Sequence, residues 1–329
     1  MELGGLHHLT AVTTDAKKNV DFYTRVLGMR LVKKTVNQDD VSAYHLFYAD
    51  ELGSPGTDVT FFDWPHLRIA KNRPGAGEVS TTEMRVPDRT ALEWWASRFE
   101  ESGVAHGGIQ DGSGRLYLDF QDPEGQRLRL SEDRGEGTEG GKPWDAGEVP
   151  AEFGIRGLAS VDLTVRDLEP TEWTLTEVLG FRKTDEQRED GGRTAVYEVG
   201  PGGPGATVRV LERPGAGPAH LGRGGVHHVA FRTPDDEEHA LWREKIRAMG
   251  LGVTPQIDRF YFRSIYFREP GGVLFEIATD GPGFTADEPA TELGQHLALP
   301  PFLEPRRAEI EANLRPLPAV ATSATRVAG

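Results

Sequence analysis

Apolar positions along this chain follow two rhythms that alternate in a fixed order. Residues 6–12 alternate as a strand does, and from Asp15 to Leu27 an apolar stripe through Val20, Tyr23 and Leu27 returns at helical spacing before stopping at Gly28. Strand-like stretches resume at 30–35, 41–48 and 58–62, with a Gly/Pro turn at 53–56 before the last of them. The predicted order is βαβββ.

That grammar recurs. Val26-Leu27-Gly28-Met29-Arg30 returns as Val178-Leu179-Gly180-Phe181-Arg182, an offset of 152 that also carries Asp15 onto Asp167. Asp122-Pro123-Glu124-Gly125 matches Glu269-Pro270-Gly271-Gly272 at an offset of 147, which also carries Pro87-Asp88 onto Pro234-Asp235. Internal repeats fix architecture, so the chain reads as four βαβββ modules at 5–65, 78–132, 155–214 and 225–281. The expected fold class is α+β, with the four modules paired into two open, barrel-like domains. Residues 5–132 hold modules one and two, and 155–281 hold modules three and four. The Gly- and Glu-rich stretch 133–154 between them has the composition of a linker, and 282–329 is a tail with one short helix expected at Glu304 to Leu314. From Ala319 onward the tail is expected to be disordered.

Composition narrows the chemistry. With 37 basic and 52 acidic side chains the formal charge is −15, which opposes phosphate binding and makes nucleic acid an unexpected partner. No apolar run reaches the roughly 18 residues of a spanning helix, and Met1 to Gly5 lacks a basic flank, so a cytoplasmic protein without a membrane partner is expected. A homo-oligomer stays open. The absence of cysteine removes disulfides, thiolate ligands and a thiol nucleophile, leaving His, carboxylate and water for any metal.

The candidate chemistry lies where the repeats differ. Module one opens Leu6-His7-His8-Leu9-Thr10, module four carries His227-His228-Val229-Ala230 on its first strand, and Leu274-Phe275-Glu276-Ile277 forms its last. The same shifts place Ser160 under His8, Thr81 under His228 and Arg129 under Glu276. Modules one and four therefore hold the site, and two and three form a structural counterpart. Strand alternation lets only one His of each pair face a cavity. His8 and His228 are taken as that one because each begins an inward set, through Thr10 and Val12 or through Ala230. Glu276 interrupts an apolar strand where an unpaired carboxylate would be costly, and a metal removes that cost. Two imidazoles and a carboxylate form the facial triad of non-heme Fe(II) sites, which Mn(II) or Zn(II) can also occupy. His45, His66, His106, His220, His239 and His296 are read as structural or solvated. The aromatic run 258–267 reads by itself as a strand packing into a core, with Arg259 and Arg263 on its solvated face.

At these residues the chain resembles the vicinal oxygen chelate superfamily, in which paired βαβββ modules carry a metal ligand on a first strand and a Glu on a last. The split of the His ligands between the first and fourth modules is similar to that in hydroquinone ring-cleaving 1,2-dioxygenases, as is the tail 299–305. Catechol extradiol enzymes place their first His in module three, where this chain has Ser160. The resemblance implies Fe(II), with Mn(II) as alternative, on His8, His228 and Glu276, and a small aromatic substrate with O2. It implies catalytic roles for His7, His227, Arg259 and Tyr266, and substrate contacts from Thr10, Arg259 and Tyr266. His7 and His227 would be the proton-transfer candidates. The rival readings are a glyoxalase-like metal-dependent isomerase or lyase and a metal-free protein that sequesters aromatics.

Overall fold

The computed structural model describes residues 1–64, 69–112, 114–189 and 191–317. His66 and the end of the tail from Ala319 lie outside the described residues. Module one comprises β1 (Leu6–Thr13), α1 (Ala16–Asp21), β2 (Arg30–Asn37), β3 (Asp40–Ala49) and β4 (Asp58–Asp63). Module two comprises β5 (Glu78–Val86), α2 (Arg89–Ser102), β6 (His106–Gly112), β7 (Arg115–Gln121) and β8 (Arg127–Glu132). Module three comprises β9 (Leu158–Val165), α3 (Leu168–Trp173), β10 (Arg182–Glu189), β11 (Gly192–Glu198) and β12 (Thr207–Glu212). Module four comprises β13 (Val226–Thr233), α4 (Asp236–Ala248), β14 (Ile257–Asp258), β15 (Arg263–Arg268) and β16 (Leu274–Thr279).

The strands form two eight-stranded sheets, ordered β14-β15-β16-β13-β1-β4-β3-β2 and β10-β11-β12-β9-β5-β8-β7-β6. Each is made from modules of opposite halves of the chain. The cut at 133–154 thus divides the sequence, while the sheets join module one to four and module two to three. The central strands of the two sheets abut, β13 against β5 and β1 against β9.

The repeated residues prove to be the ones that turn the chain. Asp15, Asp88, Asp167 and Asp235 each cap a helix, accepting from the backbone N–H of Lys18, Ala91, Glu169 and Glu238. Asp122 accepts from the N–H groups of Glu124 and Gln126, and Glu269 from those of Gly271 and Val273, closing equivalent turns. The helix expected over 15–27 changes pitch halfway. After Asp21 it becomes a π turn, Phe22–Val26, in which Leu27 N–H donates to Phe22 O; module three repeats this at Thr174–Val178.

Residues 133–154 are an ordered strap more than a loose linker. The buried Arg85 donates to the carbonyls of Thr138 and Glu139, and Trp95 Nε1 donates to Phe153 O. The tail does comparable work on the other sheet. It runs beside the edge strand β2, where Ala298 N–H donates to Lys34 O, and so covers backbone groups that would otherwise invite pairing. The fully buried Lys33 holds it there through Asp287 and Glu288. The helix expected at Glu304 to Leu314 appears as a 3-10 turn, Glu304–Arg306, followed by α5 (Arg307–Asn313). Among the described residues no helix is long and apolar enough to cross a membrane.

Candidate metal centre

The β1–β13 ladder carries two irregularities, and each lies at a His pair. Leu6 pairs with Phe231 and His8 with Ala230, so His7 is an extra residue on β1; Thr10 pairs with His228 and Ala11 with Val226, so His227 is extra on β13. Such bulges re-aim side chains. Here they let both members of a pair bear on one place, which strict alternation forbids.

The second member of each pair converges on Glu276. His8 Nε2 lies 3.3 Å and His228 Nε2 2.9 Å from Glu276 Oε2, and all three residues are buried. Burial works to raise the Glu276 carboxyl, and only positive charge on the His8–His228 side, carried by an imidazolium proton or by a cation in its place, outweighs it and holds the group well below the usual carboxylate range. The carboxylate is therefore ionised. Even so, both its oxygens and His228 Nε2 lack a hydrogen-bond donor among the described residues. A buried anion facing two imidazole lone pairs is short of a positive charge, and a divalent cation supplies it. No other cluster of buried His, Asp and Glu donors occurs among the described residues.

The first member of each pair sets the tautomer of the second. His7 Nε2 lies 3.1 Å from the Thr279 carbonyl, which only accepts, so that nitrogen carries the proton. His7 Nδ1 is then an acceptor for His8 Nδ1–H at 2.8 Å, and His8 Nε2 is left as a lone pair aimed at the site. His227 Nδ1 and His228 Nδ1 make the matching 2.7 Å contact on β13. Burial, followed by the neighbouring imidazole, pushes both His7 and His227 down to about 3, so both are neutral near pH 7. Neither lines the cavity above the site. Their positions suit holding the ligands more than exchanging protons with a substrate.

That cavity encloses about 450 Å³, its open mouth included. His8 and His228 lie at one end, with Phe62 and Phe262 beside them; the Phe262 ring is 5.1 Å from that of His8. Arg259 and Tyr266 both line it. The run 258–267 is not one strand: after β14 it turns through Phe260, whose φ of +72° is strained for a residue with a side chain, and Asp258 Oδ1 takes the Phe260 N–H. The turn swings Arg259 over the cavity. There its guanidinium donates to Asp39 at 3.0 Å and lies 5.5 Å above the Tyr266 ring. Tyr266 is opposite Glu276 in the ladder, and burial followed by the Glu276 charge pushes its hydroxyl above the usual range, so it remains a donor. Arg263 is exposed and pairs with Asp236.

Thr10 is fully buried and does not line the cavity; its hydroxyl meets Thr60 at 2.8 Å. Thr60 in turn meets His45 Nε2 at 3.0 Å, and His45 does line the cavity. His45, expected to be structural for want of a carboxylate partner, meets the Thr60 hydroxyl instead. His239, read the same way, is buried between the Ile277 carbonyl and Gln256.

The second sheet repeats the scaffold without the site. Its β5–β9 ladder has matching irregularities at Ser80 and Ala159, the positions of His227 and His7. Glu83 stands where the first sheet has Ala230, Arg129 where it has Glu276, Asp162 where it has Thr10, and Arg209 where it has Thr60. These four form an ion network, with Arg209 paired to both Glu83 and Asp162. Arginines stand here where the first sheet has its candidate metal centre.

A family model described as Glyoxalase/Bleomycin resistance protein/Dioxygenase superfamily matches residues 5–130 and 157–277. MhqA of Bacillus subtilis (strain 168), named as a candidate ring-cleaving dioxygenase, is 49% identical over 318 residues, 96% of this chain and 100% of that protein. A chlorohydroquinone/hydroquinone 1,2-dioxygenase of Sphingobium indicum is 37% identical over 313 residues, 91% of this chain and 92% of its own. The crystal structure of a candidate dioxygenase from Bacillus subtilis subsp. subtilis str. 168 has a TM-score of 0.88 at 38% identity, covering 96% of this chain and 98% of that one.

Proposed function

This chain belongs to the Glyoxalase/Bleomycin resistance protein/Dioxygenase superfamily, and we propose that within it the protein is a ring-cleaving dioxygenase that uses Fe(II) and O2 to open a hydroquinone-type ring beside a hydroxyl-bearing carbon. One observation carries the reading: a buried carboxylate, with neither oxygen given a hydrogen-bond partner among the described residues, faces two buried imidazole nitrogens. Three such ligands leave positions open on Fe(II), or on Mn(II), where a phenolate and O2 can meet. A glyoxalase-like isomerase would call for a fourth protein ligand, and no further His, Asp or Glu joins the cluster among the described residues.

The protein's own part is to hold, orient and shield. His7 and His227 keep the ligand lone pairs pointed inward. Phe62 and Phe262 line the approach with apolar surface, which strengthens every charge interaction beside them. Arg259 supplies a fixed positive charge for a substrate that has lost a proton, and Tyr266 offers an O–H at the same wall.

Oxygen uptake by protein carrying one Fe(II) per chain tests the proposal. Hydroquinone should be consumed with O2 and faster than catechol, because the His ligands lie in modules one and four. Tyr266→Phe and Arg259→Ala should keep the metal and the melting temperature yet turn over roughly a hundredfold more slowly, the typical cost of removing one aligned donor. Iron-loaded protein that consumes no O2 with any hydroquinone would sink the assignment; variants with parental turnover would remove Arg259 and Tyr266 from it.

A further inference from the structure

One wall of the cavity has a buried hydroxyl with no partner among the described residues. Thr35 on β2 and His45 on β3 are directly opposite in their ladder, so their side chains share a face, and both line the cavity. Thr35 is 3% exposed, and its Oγ1 has no hydrogen-bond partner among the described residues. A buried hydroxyl left this way is destabilising, so its place on a cavity wall points to a ligand that supplies the partner. His45 Nε2 is engaged by Thr60, and its ring is wedged between Phe47 at 4.0 Å and Phe62 at 4.5 Å, which fixes the imidazole beside Thr35.

The spacing says what kind of ligand. Phe62 stands between this wall and the metal end, its ring 4.5 Å from that of His45 and 6.5 Å from that of His228. The two polar ends of the cavity are therefore held apart by apolar side chains. A benzene ring with hydroxyls at opposite carbons matches that pattern. A ring with adjacent hydroxyls presents both oxygens to the metal end and leaves Thr35 unpaired.

We infer that Thr35, with His45 holding the wall beside it, receives the distal hydroxyl of a para-diol and so determines that para-diols are taken in preference to ortho-diols. This rests on the ring-cleavage reading above and adds to it the residues that choose the substrate. Thr35 Oγ1 completes its hydrogen bonding only when the second oxygen arrives, which makes the wall discriminate against any ring lacking that oxygen.

The test is calorimetric binding to Fe(II)-loaded protein without oxygen, with hydroquinone and 4-methylphenol, which replaces one hydroxyl by a methyl of similar size. The parent should bind hydroquinone about tenfold more tightly. Thr35→Val should erase that preference, Thr35→Ser should keep it, and His45→Phe, which preserves the ring packing, should weaken it. Thr35→Val and His45→Phe variants that both keep the parental preference overturn the inference. A parent that cleaves hydroquinone yet shows no preference overturns it while ring cleavage stands. A parent that neither prefers hydroquinone nor consumes O2 with it overturns both.

Discussion

Changing Glu276 to Gln should abolish stoichiometric metal binding and leave a metal-free protein at least as stable as the metal-free parent. The two effects have one cause. In the absence of a cation, a buried carboxylate with no donor on either oxygen among the described residues faces Nε2 of His8 and of His228. Gln keeps the shape but replaces one oxygen by an N–H2 group that can donate to an imidazole lone pair, which removes a buried charge and satisfies an acceptor together. For a metal the same change removes the only anionic ligand. Affinity should fall by at least about a hundredfold, since even the groups behind a ligand are typically worth 10- to 100-fold. Metal analysis together with melting curves, recorded with and without Fe(II) under argon, checks both halves. The parent should gain thermal stability on metal addition and Glu276→Gln should not. One metal per chain retained by the variant at parental affinity would rule out Glu276 as a ligand.

The sequence disclosed the architecture through what its modules share and the site through what they do not. Asp15 and Asp167, or Pro87-Asp88 and Pro234-Asp235, repeat because helix capping is needed in every module wherever chemistry takes place. His8, His228 and Glu276 stand out as the positions where the alignment of modules breaks. What periodicity could not express is the bulge. Strict alternation turns one His of each pair away from the cavity, whereas the extra residue on each strand brings His7 and His227 against His8 and His228. Arg259 was legible as a residue and not as a place, because its position depends on the left-handed turn at Phe260, a conformation that no pattern of apolar residues encodes. Thr35 and His45 were hidden for another reason. Their meaning comes from a cross-strand pairing and a shared cavity, and nothing local to either residue distinguishes them from other strand positions.

The second large effect lies in the other sheet, at the positions equivalent to the candidate metal centre. Arg209→Met should lower stability by about 3 kcal/mol, the lower end of the cost of breaking a buried ion pair, and the melting temperature by on the order of 10 °C. Arg209 bridges Glu83 and Asp162, and Arg129 lies 3.7 Å from Glu83 but is committed to Asp119 at 2.7 Å. Removing Arg209 thus leaves Glu83, which is 5% exposed, with a single distant cation and the hydroxyl of Ser160. Burial works to raise the Glu83 carboxyl, and Arg209 and then Arg129 outweigh it, holding the group at about 2 against an ordinary value of 4.5. A pKa depressed on folding contributes stability that is complete above about 4.5 and lost as pH falls toward about 2, so the penalty of Arg209→Met should shrink across that window. Adding Glu83→Leu should recover most of the loss, because an apolar replacement of the whole pair avoids the desolvation that the single variant leaves uncompensated. Metal content should be unchanged in both variants, since every proposed ligand lies in the other sheet. If Arg209→Met melted with the parent at pH 7, the network would be a surface-like pairing of little weight, and the sheet would owe its stability to the apolar core behind β5 and β9 alone.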